Sequence, residues 1–295
     1  MSARHQLAHA LHTMTPHLGR NELAPGIIAI RDLHTTSVVP AVYTPALCLI
    51  AQGEKRVYLE DETYIYDEAR ILLFAIDLPI MAQVTRATPA APYLGLRINL
   101  DPAKIAALVP KVFPHGVTQQ SNTRGIAVAD SDESIVETST RLVALFATPN
   151  TATLLAPLVI EELLIRLLLS PIGSRVAQIG LHESHMHRVG RAIDWICAHY
   201  SQPMHVEDLA AMVHMSTSSF HQHFKTITAM TPLQYQKVLR LQHARQLLLS
   251  SDCDVTHAAI EVGYTSPSQF SREYRRLFGE APARDMTRWR HKSTS

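Results

Sequence analysis

Two groups of residues in this 295-residue chain are of the types and spacing that do chemistry. The stretch HESHMH places His182, His185 and His187 within six positions. Neutral imidazole is the commonest protein ligand for zinc, so a metal site is the first reading to weigh. Farther along, Ser218, His221, Gln222 and Lys225, and then Ser268, Gln269, Arg272, Arg275 and Arg276, recur at helical spacing. Those side chains read base edges and hold phosphates: Arg suits guanine, Gln suits adenine, Ser suits either, and Lys with further Arg suits the backbone. The bland alternative is the solvated face of an ordinary helix, and one such face alone would weigh little.

The second group belongs to a repeat. VEDLAAMVHMSTSSFHQHFKTITAMTP (206–232) lies over VTHAAIEVGYTSPSQFSREYRRLFGEAP (255–282): Val206, Ala210 and Val213 fall on Val255, Ala259 and Val262, and after one extra residue Phe220, Phe224, Ile227 and Pro232 fall on Phe270, Tyr274, Leu277 and Pro282. Each copy reads as a short helix, a turn and a second helix. Glu207 and Asp208 suit a helix start, Ser216 an N-cap, Gly263 a turn, and Ser266 with Pro267 the opening of the next helix. In the second helices Phe220, Phe224 and Ile227, and likewise Phe270, Tyr274 and Leu277, point to a core, which leaves the chemistry-bearing residues outward. The copies are joined by TPLQYQKVLRLQHARQLLLSS, a helix of roughly 18 residues and so about 27 Å long. That length can hold two recognition helices near the ~34 Å repeat of the major groove.

The segment from RAIDWICAHY to FGEAPARDM, and above all GYTSPSQFSREYRRLFG, resembles the double helix-turn-helix domain of AraC/XylS-type transcription regulators. The resemblance implies a seven-helix unit that places both recognition helices in adjacent major grooves of double-stranded promoter DNA, with RNA polymerase as a partner if the protein is an activator. One departure is His214, where the family usually has Gly. Histidine tolerates positive φ better than most residues, so the fold should survive.

From about Pro40 to Asp101 the chain alternates as strands do. Turns are expected at Gln52-Gly53 and Asp61-Glu62 and a break at TPAAP, so a small barrel or sandwich follows. LCLIAQGEK and its surroundings resemble the cupin-like sensor domain of the same family. Tyr58, Tyr64, Tyr66, Tyr93 and Arg97 are the residues expected to line a pocket for a small-molecule effector, although alternate strand positions face opposite ways. Residues 102–109, 131–147 and 151–170 read as helices. The last is apolar nearly all round, as a helix shared between two subunits of a homodimer would be; burial against its own barrel would have the same pattern.

The expectation is therefore an α+β chain: a cupin-like β-barrel sensor with a helical dimerisation segment over 1–181, a linker at 182–187, and an all-α double helix-turn-helix domain over 188–295. HESHMH then falls in the linker. No cysteine neighbours it and its spacing lacks the i, i+4 pair of helical zinc motifs, so no metal and no cofactor are expected. An enzyme is the competing class. A catalytic cupin needs two or three histidines with a carboxylate in the barrel, and there is no histidine between His34 and His115. An alkylation-repair protein needs a cysteine cluster, and Cys48, Cys197 and Cys253 are isolated. An architectural DNA binder would be strongly basic, whereas the net charge is +1, with 14 Lys/Arg against 16 Asp/Glu in residues 1–182 and 13 against 10 in 183–295. The greasiest segment, 154–169, carries Pro157, Glu161, Glu162 and Arg166, so no membrane span is expected. The absence of a signal-peptide pattern and of paired cysteines points to the cytoplasm.

Overall fold

The computed structural model describes residues 2–117, 123–181, 184–250 and 253–293. The chain divides into two units, Met1–Gly190 and Arg191–Ser295.

Among the described residues of the first unit ten strands form two antiparallel sheets. In chain order they are β1 (Gly19–Ala24), β2 (Ile27–Asp32), β3 (Val39–Tyr43), β4 (Ala46–Gln52), β5 (Glu54–Leu59), β6 (Glu62–Asp67), β7 (Arg70–Phe74), β8 (Leu78–Arg86), β9 (Tyr93–Asn99) and β10 (Ile126–Asp130). The large sheet has the order β1-β2-β9-β4-β7-β10 and the small one β3-β8-β5-β6. Both expected turns are present: Gly53 at φ 100° joins β4 to β5, and Glu60 at φ 51° precedes β6. The β1–β2 hairpin and β10 extend the sheet beyond the expected stretch. β1 is a polar edge strand, GRNELA, whose composition reads as a loop.

Helices cover the large sheet. α1 (Ala3–Met14) buries Leu7 and Leu11 and packs on β2, β4 and β9. α2 (Pro102–Val112), α3 (Glu133–Leu145), α4 (Pro149–Leu169) and α5 (Gly173–Gly180) follow, with α3 on α1 and α4, and α2 on α4 and α5. The sequence reading lacked α1 and α5. Histidines on the solvent side of α1 hide its apolar stripe. α4 buries Leu163, Leu164, Leu167 and Leu168 yet exposes Leu154, Leu155, Leu158 and Leu169. No helix among the described residues is long and apolar enough to cross a membrane.

The second unit, in which the chain division falls within α6 (His185–Ala198), continues with α7 (Val206–Met212), α8 (Thr217–Thr228), α9 (Pro232–Ser250), α10 (Val255–Glu261), α11 (Pro267–Phe278) and α12 (Pro282–Ser293). The two copies match to the level of single hydrogen bonds. Met215 N–H donates to Ala210 O and Tyr264 N–H to Ala259 O, each at 2.9 Å, across turns whose φ is 55° at His214 and 87° at Gly263. A Cβ at Gly263 would stand 2.0 Å from the Ser201 carbonyl oxygen, so glycine is required there. Ser216 and Ser266 cap α8 and α11 by accepting from Ser219 N–H and Gln269 N–H, and Ala229 and Gly279 close them in the left-handed region. Thr231 and Gln234 exchange side-chain and backbone bonds at the start of α9, a capping box.

Aromatic rings line the buried faces of both recognition helices; Tyr235 of α9 meets α8, whereas α11 shares a core with the aliphatic Leu241, Ala244 and Leu248 of α9. Phe224 meets Phe220 and Tyr235 at centroid distances of 5.5 and 5.6 Å, and Tyr274 meets Phe270 and Phe278 at 5.6 and 4.6 Å. The second copy adds a buried ion pair: Arg245 donates to both Asp285 oxygens at 2.7 and 3.1 Å, and Tyr274 Oη donates to Oδ2 at 2.8 Å. Phe224→Ala or Tyr274→Ala should each cost about 3 to 5 kcal/mol by opening a cavity, measured by chemical denaturation; an unchanged midpoint would mean the helical register is misread. Burial works against the Asp285 charge, but the hydrogen bonds from Arg245 and Tyr274 outweigh it and hold the carboxyl below its ordinary value. The resulting stabilisation is complete above about pH 4 and lost as pH falls. Thermal unfolding between about pH 6 and about pH 3 should therefore show a falling midpoint, and Asp285→Asn should start lower and slope less.

Candidate nucleic-acid interface

α8 and α11 begin at serine caps and run twelve residues each, so every fourth position returns to the same face. Burial of Phe220, Phe224 and Ile227 turns Ser218, His221, Gln222 and Lys225 outward, and all four are exposed. Burial of Phe270 and Tyr274 does the same for Ser268, Gln269, Arg272, Arg275 and Arg276, likewise exposed. Leu277 is half-buried rather than buried. The outward faces of α8 and α11 thus carry four each of the eight residues singled out for DNA contact, with Arg275 beside those of α11.

Glu273 was missed by sequence reasoning. It faces inward on α11, where Tyr264 Oη donates to it at 2.8 Å, Lys237 Nζ of α9 lies at 3.1 Å and Gln269 Nε2 donates at 3.3 Å. Burial alone would raise its carboxyl, and these three donors bring it below the ordinary value. One consequence is that Gln269 is held by its amide nitrogen. A second group that sequence did not reveal is Arg240 on α9. Its Nε donates to Tyr200 O at 2.6 Å, Nη2 to Gln202 O at 2.9 Å and Nη1 to Gly263 O at 3.0 Å. The turn of the second copy is thereby fastened to the segment before α7.

The described part of the histidine cluster lies at the start of a helix. Ser184 Oγ accepts from His187 N–H at 3.0 Å at the start of α6, whose first turn carries His185 and His187. His182 lies outside the described residues. Among the described residues no three His, Cys, Asp or Glu side chains come together as a metal set.

The five residues expected around a pocket in the first unit separate. Tyr66 and Tyr93 are buried between the sheets, and Arg97 is half-buried with its guanidinium 4.6 Å from the Tyr43 ring. Tyr64 donates to Glu62 at 2.5 Å, and Glu62 in turn pairs with Arg124. Tyr58 sits on the other face of β5, where its hydroxyl donates to Gln83 at 3.3 Å.

Residues 24–175 match the family described as AraC-type transcriptional regulator N-terminus, and residues 209–288 match a helix-turn-helix domain. The chain is 33% identical over 131 residues to the HTH-type transcriptional regulator ExsA of Pseudomonas aeruginosa, a match over 44% of this chain and 47% of that one. It is 36% identical over 95 residues to the HTH-type transcriptional activator RhaS of Escherichia fergusonii, over 32% of this chain and 34% of that one. The matched segments thus span about half of ExsA and a third of RhaS. ToxT of Vibrio cholerae shares the fold, with a TM-score of 0.57 at 8% identity over 88% of this chain and 98% of that one.

Arg272→Ala should weaken binding to a specific site by about 1 to 3 kcal/mol and relax preference at one base pair. Lys225→Ala and Arg276→Ala should weaken all sequences alike and reduce the salt dependence by about one phosphate each. Titration of labelled duplexes at several salt concentrations measures both effects. With both halves of its architecture matched, the chain belongs to the AraC-type transcriptional regulators.

Proposed function

We propose that this chain is a sequence-specific, DNA-binding transcription regulator whose α8 and α11 enter successive major-groove segments of promoter DNA. Ser218, His221, Gln222, Ser268, Gln269 and Arg272 read bases, and Lys225 and Arg276 hold phosphates. The observation that carries this reading is the duplicated helix-turn-helix, equivalent in caps, turns and core positions, each copy presenting a polar and basic face. The sensor is assigned to residues 1–181, the connector to 182–187 and the DNA-binding domain to 188–295. A small effector bound between the two sheets of the sensor shifts the regulator between arrangements of differing DNA affinity, by its differential affinity for them. ToxT of Vibrio cholerae has been solved with an unsaturated fatty acid bound, which supports the reading of a small-molecule effector. Activation through RNA polymerase and location in the cytoplasm belong to the same reading; RhaS is named as an activator.

The exposed leucines of α4 support a homodimer. Leu154 and Leu158 lie one turn apart on a face left open by the chain's own packing, while the opposite side is buried.

A fragment of residues 183–295 keeps α6 whole and should fold and bind a single site. The full chain should bind paired sites more tightly, because a dimer makes the second binding event intramolecular. Sedimentation of Leu154→Glu/Leu158→Glu should show a monomer with unchanged affinity for one site and lost advantage on two. An unfolded fragment would remove the modular account, and an unchanged oligomer would remove α4 as the dimer face.

A further inference from the structure

β5 turns Lys55, Val57 and Leu59 toward the core and Arg56 outward. Lysine is almost never fully buried without a partner of opposite charge, and the hydrogen-bond and ring contacts of Lys55 are all neutral. Its ammonium hydrogen-bonds Tyr43 Oη at 3.0 Å and lies 5.6 Å and 6.0 Å from the Tyr43 and Tyr93 ring centroids. Across that tyrosine, the Arg97 guanidinium stands 4.6 Å from the Tyr43 ring and hydrogen-bonds Thr44 Oγ1 and Asn99 Oδ1, both neutral. Two cations therefore approach Tyr43, Lys55 at its hydroxyl and Arg97 at its ring, and neither makes an ion pair with a carboxylate among the described residues. Asp32, at the end of β2, feels Lys55 from a distance: burial pushes its carboxyl up and Lys55 pulls it back.

An ammonium offers three donors, and Tyr43 engages one. A buried cation so placed is half of an ion pair, and the missing half is an anion. The surroundings define the rest of the ligand. Tyr66 and Tyr93 are buried beside Lys55, and Cys48 is buried on the facing strand β4, so the lining suits an apolar body rather than a multiply charged one.

Resting on the reading of the first unit as the effector-binding half, we infer that the interior between the sheets is a receptor for a small organic carboxylate. Lys55 Nζ takes the carboxylate, Arg97 adds to the positive field, and the rings of Tyr43, Tyr66 and Tyr93 cover the apolar body. Because the Tyr43 ring stands against both cations, its displacement accompanies binding. Tyr43 ends β3, so that displacement is passed to the edge strand of the small sheet.

The test uses the full chain, with benzoate and hexanoate at millimolar concentration as probes and benzamide and hexanamide as neutral counterparts. Calorimetry and thermal unfolding should show binding of the acids and not of the amides. Lys55→Met should weaken the acids on the order of ten- to a hundredfold, as expected for the loss of a charge-assisted hydrogen bond. Without ligand the same variant should unfold at no lower temperature than the parent, since it removes an unneutralised buried charge. Equal response to acid and amide, no response to either acid, or an acid response that survives Lys55→Met would overturn the inference. An acid that binds through Lys55 yet leaves affinity for operator DNA unchanged leaves the receptor standing and removes the effector reading instead.

Discussion

The arrangement of the second unit depends on the planar fork of Arg240. A guanidinium presents its donors in a fixed plane, and here three of them meet carbonyls of Tyr200, Gln202 and Gly263. Gln236, one turn earlier on α9, adds bonds to Tyr200 O and Gln202 O at 3.1 and 2.9 Å. These carbonyls sit where helices end, so they lack intrahelical partners and need outside donors. One side chain satisfies them and at the same time fixes the turn of the second copy against the segment leading into the first. The contact is so close that the Ser201 carbonyl leaves no room for a Cβ at position 263. That accounts for glycine in the second turn, whereas the equivalent φ of 55° at His214 is met by an exposed histidine.

The two copies are alike in backbone and different in how α9 grips them. At its first turns α9 meets the first copy through ring contact, Tyr235 edge-on to Phe224 at an interplanar angle of 86°. Near its C-terminal end it meets the second through an apolar core of Leu241, Ala244 and Leu248 with Phe270 and Tyr274, to which charge is added: Arg245 pairs with Asp285, Tyr274 donates to the same carboxylate, and the Arg245 guanidinium lies 4.9 Å from the Phe278 ring. A buried ion pair adds little net stability over a well-packed apolar pair, because desolvation offsets most of the attraction. What it does supply is direction: the bidentate geometry admits one rotation of α12 relative to α9, where an apolar contact would admit several. Together with Glu273, which ties Tyr264 and Lys237 to α11, it places the basic face of the second recognition helix by hydrogen bonds rather than by packing alone.

The local part of this architecture was legible in the sequence. Caps, turns and the helical period of Phe220, Phe224, Phe270 and Tyr274 depend on residues within a few positions, and these located α7, α8, α10 and α11 and the outward faces of α8 and α11. Buried charge was not legible. Arg240, Arg245, Glu273 and Lys55 each look like solvent-facing residues until partners from distant segments are brought up; Asp285 is 40 positions from Arg245. In the first unit the strands from Pro40 onward were visible by alternation, but the pocket residues were chosen by type rather than by parity. Parity places Lys55 and Tyr66 opposite each other on the inner face and puts Tyr58 outside.

The same comparison separates two uses of a buried cation. In the second unit Arg245 has its carboxylate and Arg240 its three carbonyls, so the charge is met within the chain. In the first unit Lys55 and Arg97 meet hydroxyls, an amide oxygen and ring faces, each of which favours a cation without neutralising it. An apolar side chain at position 55 would continue the Val57 and Leu59 row and avoid the desolvation of an ammonium. A fold that needed only a core at this point would be better served by it. In the inferred carboxylate receptor, the lysine is matched to a liganded state, in which an entering anion completes the pair, rather than to the stability of the empty chain.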